Sequence, residues 1–259
     1  MEKPTKELLL IMPAYNEEAC IGKFLEQLEA PEIANIADVL VIDDGSSDNT
    51  GRIVKEKNHT LIRHVYNMGY GAALMTGYKY AIRRNYKYVI QIDSDGQHDP
   101  CNILTIYHKL KEQDENGQTP DIVLGSRFLE GGKSFPISIL KKIAIGGFRR
   151  LIHVTTGEKI TDPTTGLQGL NRRTVLYYSI YSHFDLQYPD ANMLMETMLL
   201  GCKVKEIPAV MHRRKSGTSM HHGLAPMLYM IHMFYSICAI WLRIRVMKKD
   251  TTRPVPRNM

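Results

Sequence analysis

The sequence is poor in the features that mark disulfide-stapled, zinc-bound or nucleic-acid-binding chains. Its four cysteines, Cys20, Cys101, Cys202 and Cys238, lie far apart and none belongs to a C-x-x-C pair. Neither a structural zinc site nor a disulfide framework is indicated, and a reducing cytosol is the natural compartment. The apolar run at residues 8–12 stops at Pro13, too short for the roughly 7–15-residue core of a signal peptide. It reads as a buried strand. No Gly-rich turn follows that run, and in Asn67-Met68-Gly69-Tyr70-Gly71 the third glycine of a dinucleotide fingerprint is missing, with Leu74 in its place. A Rossmann cofactor site is therefore a poor reading. Internal repeats and low-complexity segments are absent. Basic clusters occur at Lys141-Lys142, Arg149-Arg150, Arg172-Arg173 and Arg213-Arg214-Lys215, but without the interleaved aromatic platform of a single-strand binder. No nucleic-acid partner is expected.

What remains is an ordinary globular composition: 259 residues, 44% hydrophobic and 23% charged, with a formal net charge of +6. That length fits one large α/β domain with a short appendage, and the positive charge favours anionic partners such as phosphates or lipid headgroups. Short Val/Ile/Leu runs at 8–12, 39–42, 61–65, 89–92 and 122–124 alternate with segments of helical period at 17–28, 48–57, 71–84 and 100–113. The alternation predicts βαβ units, and hence a mainly parallel, doubly wound, Rossmann-like sheet flanked by helices. Sites in such sheets lie at the carboxyl ends of the strands. Three predicted strand ends carry polar clusters there: Pro13-Ala14-Tyr15-Asn16-Glu17-Glu18, Asp43-Asp44-Gly45-Ser46-Ser47-Asp48 and Asp93-Ser94-Asp95-Gly96-Gln97-His98.

Asp93 and Asp95 form a D-x-D pair, and if the chain stays extended their carboxylates point to one side and share a divalent cation with a pyrophosphate. An EF-hand does not fit, because Gly96 is fourth rather than sixth and Leu104 holds the twelfth place. Asp44 suits a base N–H or a ribose hydroxyl. From residue 131 to 161 the pattern loosens into Gly-rich and basic stretches, as expected of a loop and helix beside the site. A helix starts at Pro189-Asp190 and ends at Gly201, and Asp190 reads as a first-turn acid favouring the helix dipole. The nearly apolar stretch 224–242 is broken by Pro226, His232 and Ser236, with Tyr229, His232, Ser236 and Arg243 close to one helical stripe. It barely reaches the roughly 20 residues of a membrane span, so a C-terminal apolar or amphipathic helix lying on the bilayer is expected, with a core helix covering the sheet as the alternative.

Together with Gly125-Ser126-Arg127, these motifs in this order closely resemble the family 2 glycosyltransferases, over about residues 7 to 220. The resemblance implies a GT-A fold and sugar transfer with inversion from a nucleotide-sugar donor. It implies that Pro13, Ala14, Tyr15, Glu17 and Asp44 hold the nucleoside, while Asp93, Asp95 and Gln97 bind the donor phosphates and a divalent metal, Mg²⁺ or Mn²⁺. The family's late R-x-x-G-x-S-K motif matches Arg214, Gly217 and Ser219, with Met220 in place of the lysine. Arg127 is the counterpart of an arginine receiving an acceptor phosphate, and Asp190 has the spacing of a base aspartate. The expected partners are a nucleotide-sugar, a polyprenyl-phosphate or glycan acceptor and a membrane surface; the expected place is the cytoplasmic, inner face of the membrane. On this reading residues 1–223 are the transferase and 224–259 a membrane-associating helix with a basic tail. Alternatives are a hydroxyl-directed transferase, a non-catalytic membrane-associated scaffold, and a nucleotidyltransferase, for which the basic Gly-rich phosphate loop is absent.

Overall fold

The computed structural model describes residues 6–133, 135, 139–213 and 225–247. A seven-stranded sheet is built from β1 (Leu8–Ala14), β2 (Ala37–Asp43), β3 (Thr60–Arg63), β4 (Tyr88–Gln91), β5 (Ile122–Ser126), β6 (Gln168–Asn171) and β7 (Val204–Pro208), in the order β3-β2-β1-β4-β6-β5-β7. Neighbours pair in parallel except β6, which runs antiparallel to both β4 and β5. The mainly parallel, doubly wound sheet is therefore present, with one reversed strand that the sequence pattern does not announce.

Nine helices surround it among the described residues: α1 (Ile21–Leu28), α2 (Pro31–Ala34), α3 (Thr50–Glu56), α4 (Tyr70–Arg84), α5 (Cys101–Lys111), α6 (Ile139–Thr156), α7 (Arg172–Tyr178), α8 (Ala191–Leu199) and α9 (Ala225–Trp241). Every residue of β1 is buried, as a parallel strand covered on both faces requires. The side-chain period of two divides it between two cores. Leu8, Leu10 and Met12 face one core with Phe24 of α1 and Ile103 of α5; Leu9 and Ile11 face the other with Tyr78 of α4 and Leu194 of α8.

Helix α9 belongs to that second core. Its Met233, Ile237 and Ile240 are buried there, as is Ile244 in the π turn Leu242–Val246 that ends the helix. Its opposite side is bare: Ile231, Phe234, Tyr235, Trp241 and Leu242 are all exposed. Among the described residues no helix is long and apolar enough to cross a membrane.

Truncating a fully buried methionine removes its packing and leaves a cavity. Met233→Ala is expected to lower unfolding free energy by about 2–4 kcal/mol, measured by urea denaturation, whereas a helix merely resting on the surface would show almost no change.

Candidate active site

The carboxyl ends of β1, β2 and β4 meet at one edge. Past Ala14 the chain turns through Asn16, which takes a left-handed backbone (φ 55°), a conformation asparagine tolerates better than most residues. Its N–H donates to Ser46 Oγ at 3.0 Å and its Oδ1 accepts from the Ser47 N–H at 2.9 Å, while the Glu17 N–H donates to Thr50 Oγ1 at 2.8 Å. Pro13 and Ala14 are buried in β1; Tyr15 is exposed at the rim. Asp44 is buried and serves the protein itself: Oδ1 accepts from the Met68 N–H at 2.9 Å and pairs with His64 Nδ1 at 2.7 Å, and Oδ2 accepts from the Gly69 N–H at 2.7 Å. The carboxylate thereby shapes the loop that opens α4. Gly71, on the first turn of that helix, sits so near the chain at 185–186 that an added Cβ would lie 2.5 Å from the Leu186 carbonyl oxygen.

The D-x-D pair does not remain extended. Strand β4 ends at Gln91, and the chain then turns, with Gly96 at φ 72°. The period-two argument for a shared side therefore fails, and tertiary contacts orient each acid instead. Tyr70 Oη donates to Asp93 Oδ1 at 3.1 Å, and His98 Nε2 lies 3.4 Å from Oδ2. Loss of solvent opposes ionisation of Asp93, but the His98 bond and charge, Tyr70 and the Arg127 charge outweigh it and hold the carboxyl below its ordinary value. Behind it stands Gly166, where a Cβ would come within 2.8 Å of Oδ2. Asp95 Oδ1 accepts the Gln97 N–H at 3.0 Å, and the Gln97 carbonyl accepts the His212 N–H at 2.7 Å. That last contact, with the bridge between His98 and Met211, brings the chain around 211–213 beside the acids. Arg214, Gly217, Ser219 and Met220 lie outside the described residues.

Among the described residues no group of three or more His, Cys, Asp or Glu forms a preformed metal cage. The donors on offer, two carboxylates and an amide, are nevertheless hard oxygen ligands of the kind Mg²⁺ and Mn²⁺ take, and Gly166 leaves Asp93 room against the backbone.

On the far side of β4, Arg127 at the end of β5 forks onto Asp162: Nε to Oδ2 and Nη2 to Oδ1, both at 2.7 Å, with Nη2 also 2.9 Å from Thr164 Oγ1. The pair is buried, with side chains 8% and 0% exposed. Arg127, expected to receive a phosphate, is thus occupied on its Nε and Nη2 side by a carboxylate that the sequence reading did not single out. Its signal was there in the compact run Thr161-Asp162-Pro163-Thr164-Thr165-Gly166. Glu206 of β7 underpins this run, accepting from the Thr161 and Asp162 N–H groups at 2.8 and 2.9 Å.

Asp190 immediately precedes α8, yet its side chain makes no capping bond. The carboxylate turns into the site, where Tyr229 Oη of α9 donates to Oδ2 at 2.6 Å. Burial raises Asp190 to about 6, with the nearby Asp162 and Asp93 charges adding to the rise and Tyr229 and Arg127 opposing it. Lys141, in the first turn of α6, feels the same group of charges: loss of solvent and Arg127 lower its ammonium, and Asp190 and Asp162 work the other way. Asp162 is a site residue without a motif of its own, while Tyr70 sits in the run Asn67-Met68-Gly69-Tyr70-Gly71 and Tyr229 on the polar stripe of 224–242, neither of which assigns it a role.

Residues 9–176, more than half of the chain, match Glycosyl transferase family 2, and the chain belongs to that family. The undecaprenyl-phosphate mannosyltransferase of Micrococcus luteus is 27% identical over 224 residues, 83% of this chain and 88% of that protein. A UDP-N-acetylglucosamine–dolichyl-phosphate N-acetylglucosaminyltransferase of Methanococcus voltae is 29% identical over 184 residues, 64% of this chain and 70% of its own. Glucosyl-3-phosphoglycerate synthase from Mycobacterium tuberculosis, solved with Mn²⁺, uridine diphosphate and phosphoglyceric acid, superposes with a TM-score of 0.68 at 16% identity, covering 92% of this chain and 79% of that one. The likeness to it is one of fold, the GT-A fold. This protein is a glycosyltransferase.

The raised Asp190 has a consequence for stability. Its folded value of about 6 lies above the ordinary 3.8, so the folded state holds its proton more tightly and ionising it costs folding free energy as pH rises through that window. In the metal-free protein, Asp190→Asn is expected to be more stable than wild type by about 2–3 kcal/mol at pH 7.5 and indistinguishable below about pH 3. Thermal unfolding at the two pH values checks this; an equal offset at both would refute it.

Proposed function

We propose that this enzyme transfers a sugar, with inversion at the anomeric carbon, from a nucleotide-sugar to a polyprenyl phosphate at the cytoplasmic face of the membrane, in the synthesis of cell-surface glycans. The observation that carries the reading is the meeting of charge and bare apolar surface at α6. Lys141 lies within electrostatic reach of Arg127 and Asp190, while Ile139 and Ile143 beside it are exposed. Between α6 and α9 runs an apolar groove of about 440 Å³, lined by Ala144, Phe148, Leu151, Val154, Met230 and Phe234. An acceptor that is anionic at one end and hydrocarbon at the other matches this arrangement, and the two relatives described above are named for such lipid phosphates.

The nucleoside is assigned to the loops at Pro13, Ala14, Tyr15, Glu17 and Asp44, and a donor phosphate contact to Arg214. A divalent cation held by Asp93, Asp95 and Gln97 would stabilise the charge of the departing nucleotide. The protein's own task is alignment. Lys141 and the open side of Arg127 place the acceptor oxygen in line with the anomeric carbon; the new C–O bond forms as the bond to the nucleoside diphosphate breaks. Residues 224–259 belong to the membrane-associating part. The outer residues of α9 and the exposed Lys142 and Arg150 of α6 together suit a bilayer containing anionic lipid.

A second reading, transfer to a hydroxyl of a lipid-linked glycan or polysaccharide, draws on Asp190. A buried carboxylate at about 6 is matched to general-base work near neutral pH. The two readings separate in one assay, using purified protein, vesicles of phosphatidylcholine and phosphatidylglycerol, and a panel of UDP-, GDP- and dTDP-sugars with Mg²⁺ or Mn²⁺. With polyprenyl phosphate as acceptor, Asp190→Asn is expected to retain turnover within about tenfold at pH 8, where the phosphate is already ionised. Loss of about 10²–10⁴-fold there, or transfer only to a glycan hydroxyl, favours the base-dependent reaction.

Metal use has its own check. Asp95→Asn is expected to lower turnover at least about 10²-fold with an unchanged melting temperature, and chelator is expected to stop the wild type until Mg²⁺ or Mn²⁺ is returned. Full activity in excess chelator would remove the metal from the scheme.

A further inference from the structure

The polar residues along α9 are unusual for a helix with so apolar an outer face, because they point inward. From its first described turns onward, each finds a partner in the segment that leads into and forms α8. Tyr229 Oη donates to Asp190 Oδ2 at 2.6 Å; His232 Nε2 lies 3.1 Å from Asp185 Oδ2; Asn192 Nδ2 donates to Ser236 Oγ at 3.0 Å; and Arg243 donates to Glu196. The Tyr229 ring is itself fixed, edge-on to Tyr188 with centroids 5.3 Å apart. The backbone of Asp190 is held separately, its N–H donating to Asn192 Oδ1 at 2.9 Å. Its side chain is not. It makes no capping bond to α8, and among the described residues its hydrogen bond is the one from Tyr229.

A carboxylate at the start of a helix ordinarily folds back onto the first-turn N–H groups, where the helix dipole favours it. Asp190 makes no such bond and instead accepts from Tyr229, a residue of α9. We propose that Tyr229 is a positioning residue, whose hydroxyl holds the Asp190 carboxylate at the acceptor end of the site. The proposal rests on the sugar-transfer reading but not on which acceptor is used. With a hydroxyl acceptor Asp190 receives the proton as the C–O bond forms. With a phosphate acceptor its charge offsets the fields of Arg127 and Lys141 where the phosphate docks. Either way Tyr229 acts through Asp190, and its removal has no effect once that carboxylate is gone.

A double-mutant cycle in the full-length protein tests this, with Tyr229→Phe, Asp190→Asn and the pair assayed in the same vesicles on whichever acceptor the wild type uses. Tyr229→Phe removes one oxygen and keeps the ring. It is expected to lower kcat/KM for the acceptor about tenfold, to leave the KM for the nucleotide-sugar unchanged, and to cost nothing further in the Asp190→Asn background. Met233→Ala, which loosens α9 without touching the site, is the control and is expected to transfer within about twofold of wild type below its melting temperature. The proposal is overturned by any of three results: Tyr229→Phe matching wild type, its loss adding in full to that of Asp190→Asn, or Met233→Ala losing as much as Tyr229→Phe. Failure of the wild type on polyprenyl phosphate rejects the acceptor reading alone, because the cycle is then read on the hydroxyl acceptor.

Discussion

The buried fork between Arg127 and Asp162 ties the β5 half of the site to the sheet. It joins the end of β5 to the run 161–166, and three neighbouring features depend on that junction. Gly166 backs Asp93, Thr165 Oγ1 donates to the Gly125 carbonyl at 2.8 Å, and Glu206 gathers the N–H groups beneath. Two charges taken out of water are tolerated because each is multiply bonded. Breaking such a pair from one side leaves a buried charge without its counter-ion, at a cost of about 3–5 kcal/mol. The fork is thus a structural commitment first.

Much of the fold was legible because it rests on periodicity. Four of the five apolar runs coincide with parallel strands nearly residue for residue, since strands covered on both faces must be continuously apolar. The fifth was read too long: β3 ends at Arg63, and Val65 is 97% exposed. Helix α1 starts at Ile21 rather than Glu17, since Asn16 is left-handed and the next residues form a turn. Strand β6 escaped because Gln168-Gly169-Leu170-Asn171 has neither length nor alternation; it is a strand because its neighbours on both sides need hydrogen-bond partners.

The site was legible where chemistry sits in short motifs at strand ends and illegible where it depends on distant segments meeting. The D-x-D pair could be found without structure, though not the turn that orients it. Asp162, Tyr70 and Tyr229 could not be ranked above other polar residues, because their importance comes from partners 35, 23 and 39 positions away. The stripe of Tyr229, His232, Ser236 and Arg243 was visible as a pattern, but only packing shows that it faces the protein and turns the apolar side outward.

The reversal of β6 divides the molecule in a way that bears on how such enzymes diversify. A strand that runs against its neighbours begins where they end, so the connection entering β6 arrives at the same rim as the D-x-D turn. To one side lie β1, β2, β3 and β4 with the loops assigned to the nucleotide; to the other lie β5 and β7 with Arg127 and Glu206. The inserted strand is a seam between them. Loops on the β5–β7 flank can lengthen, shorten or change charge while the β1–β4 flank keeps its register, so one architecture can remake one side of its site without rebuilding the other.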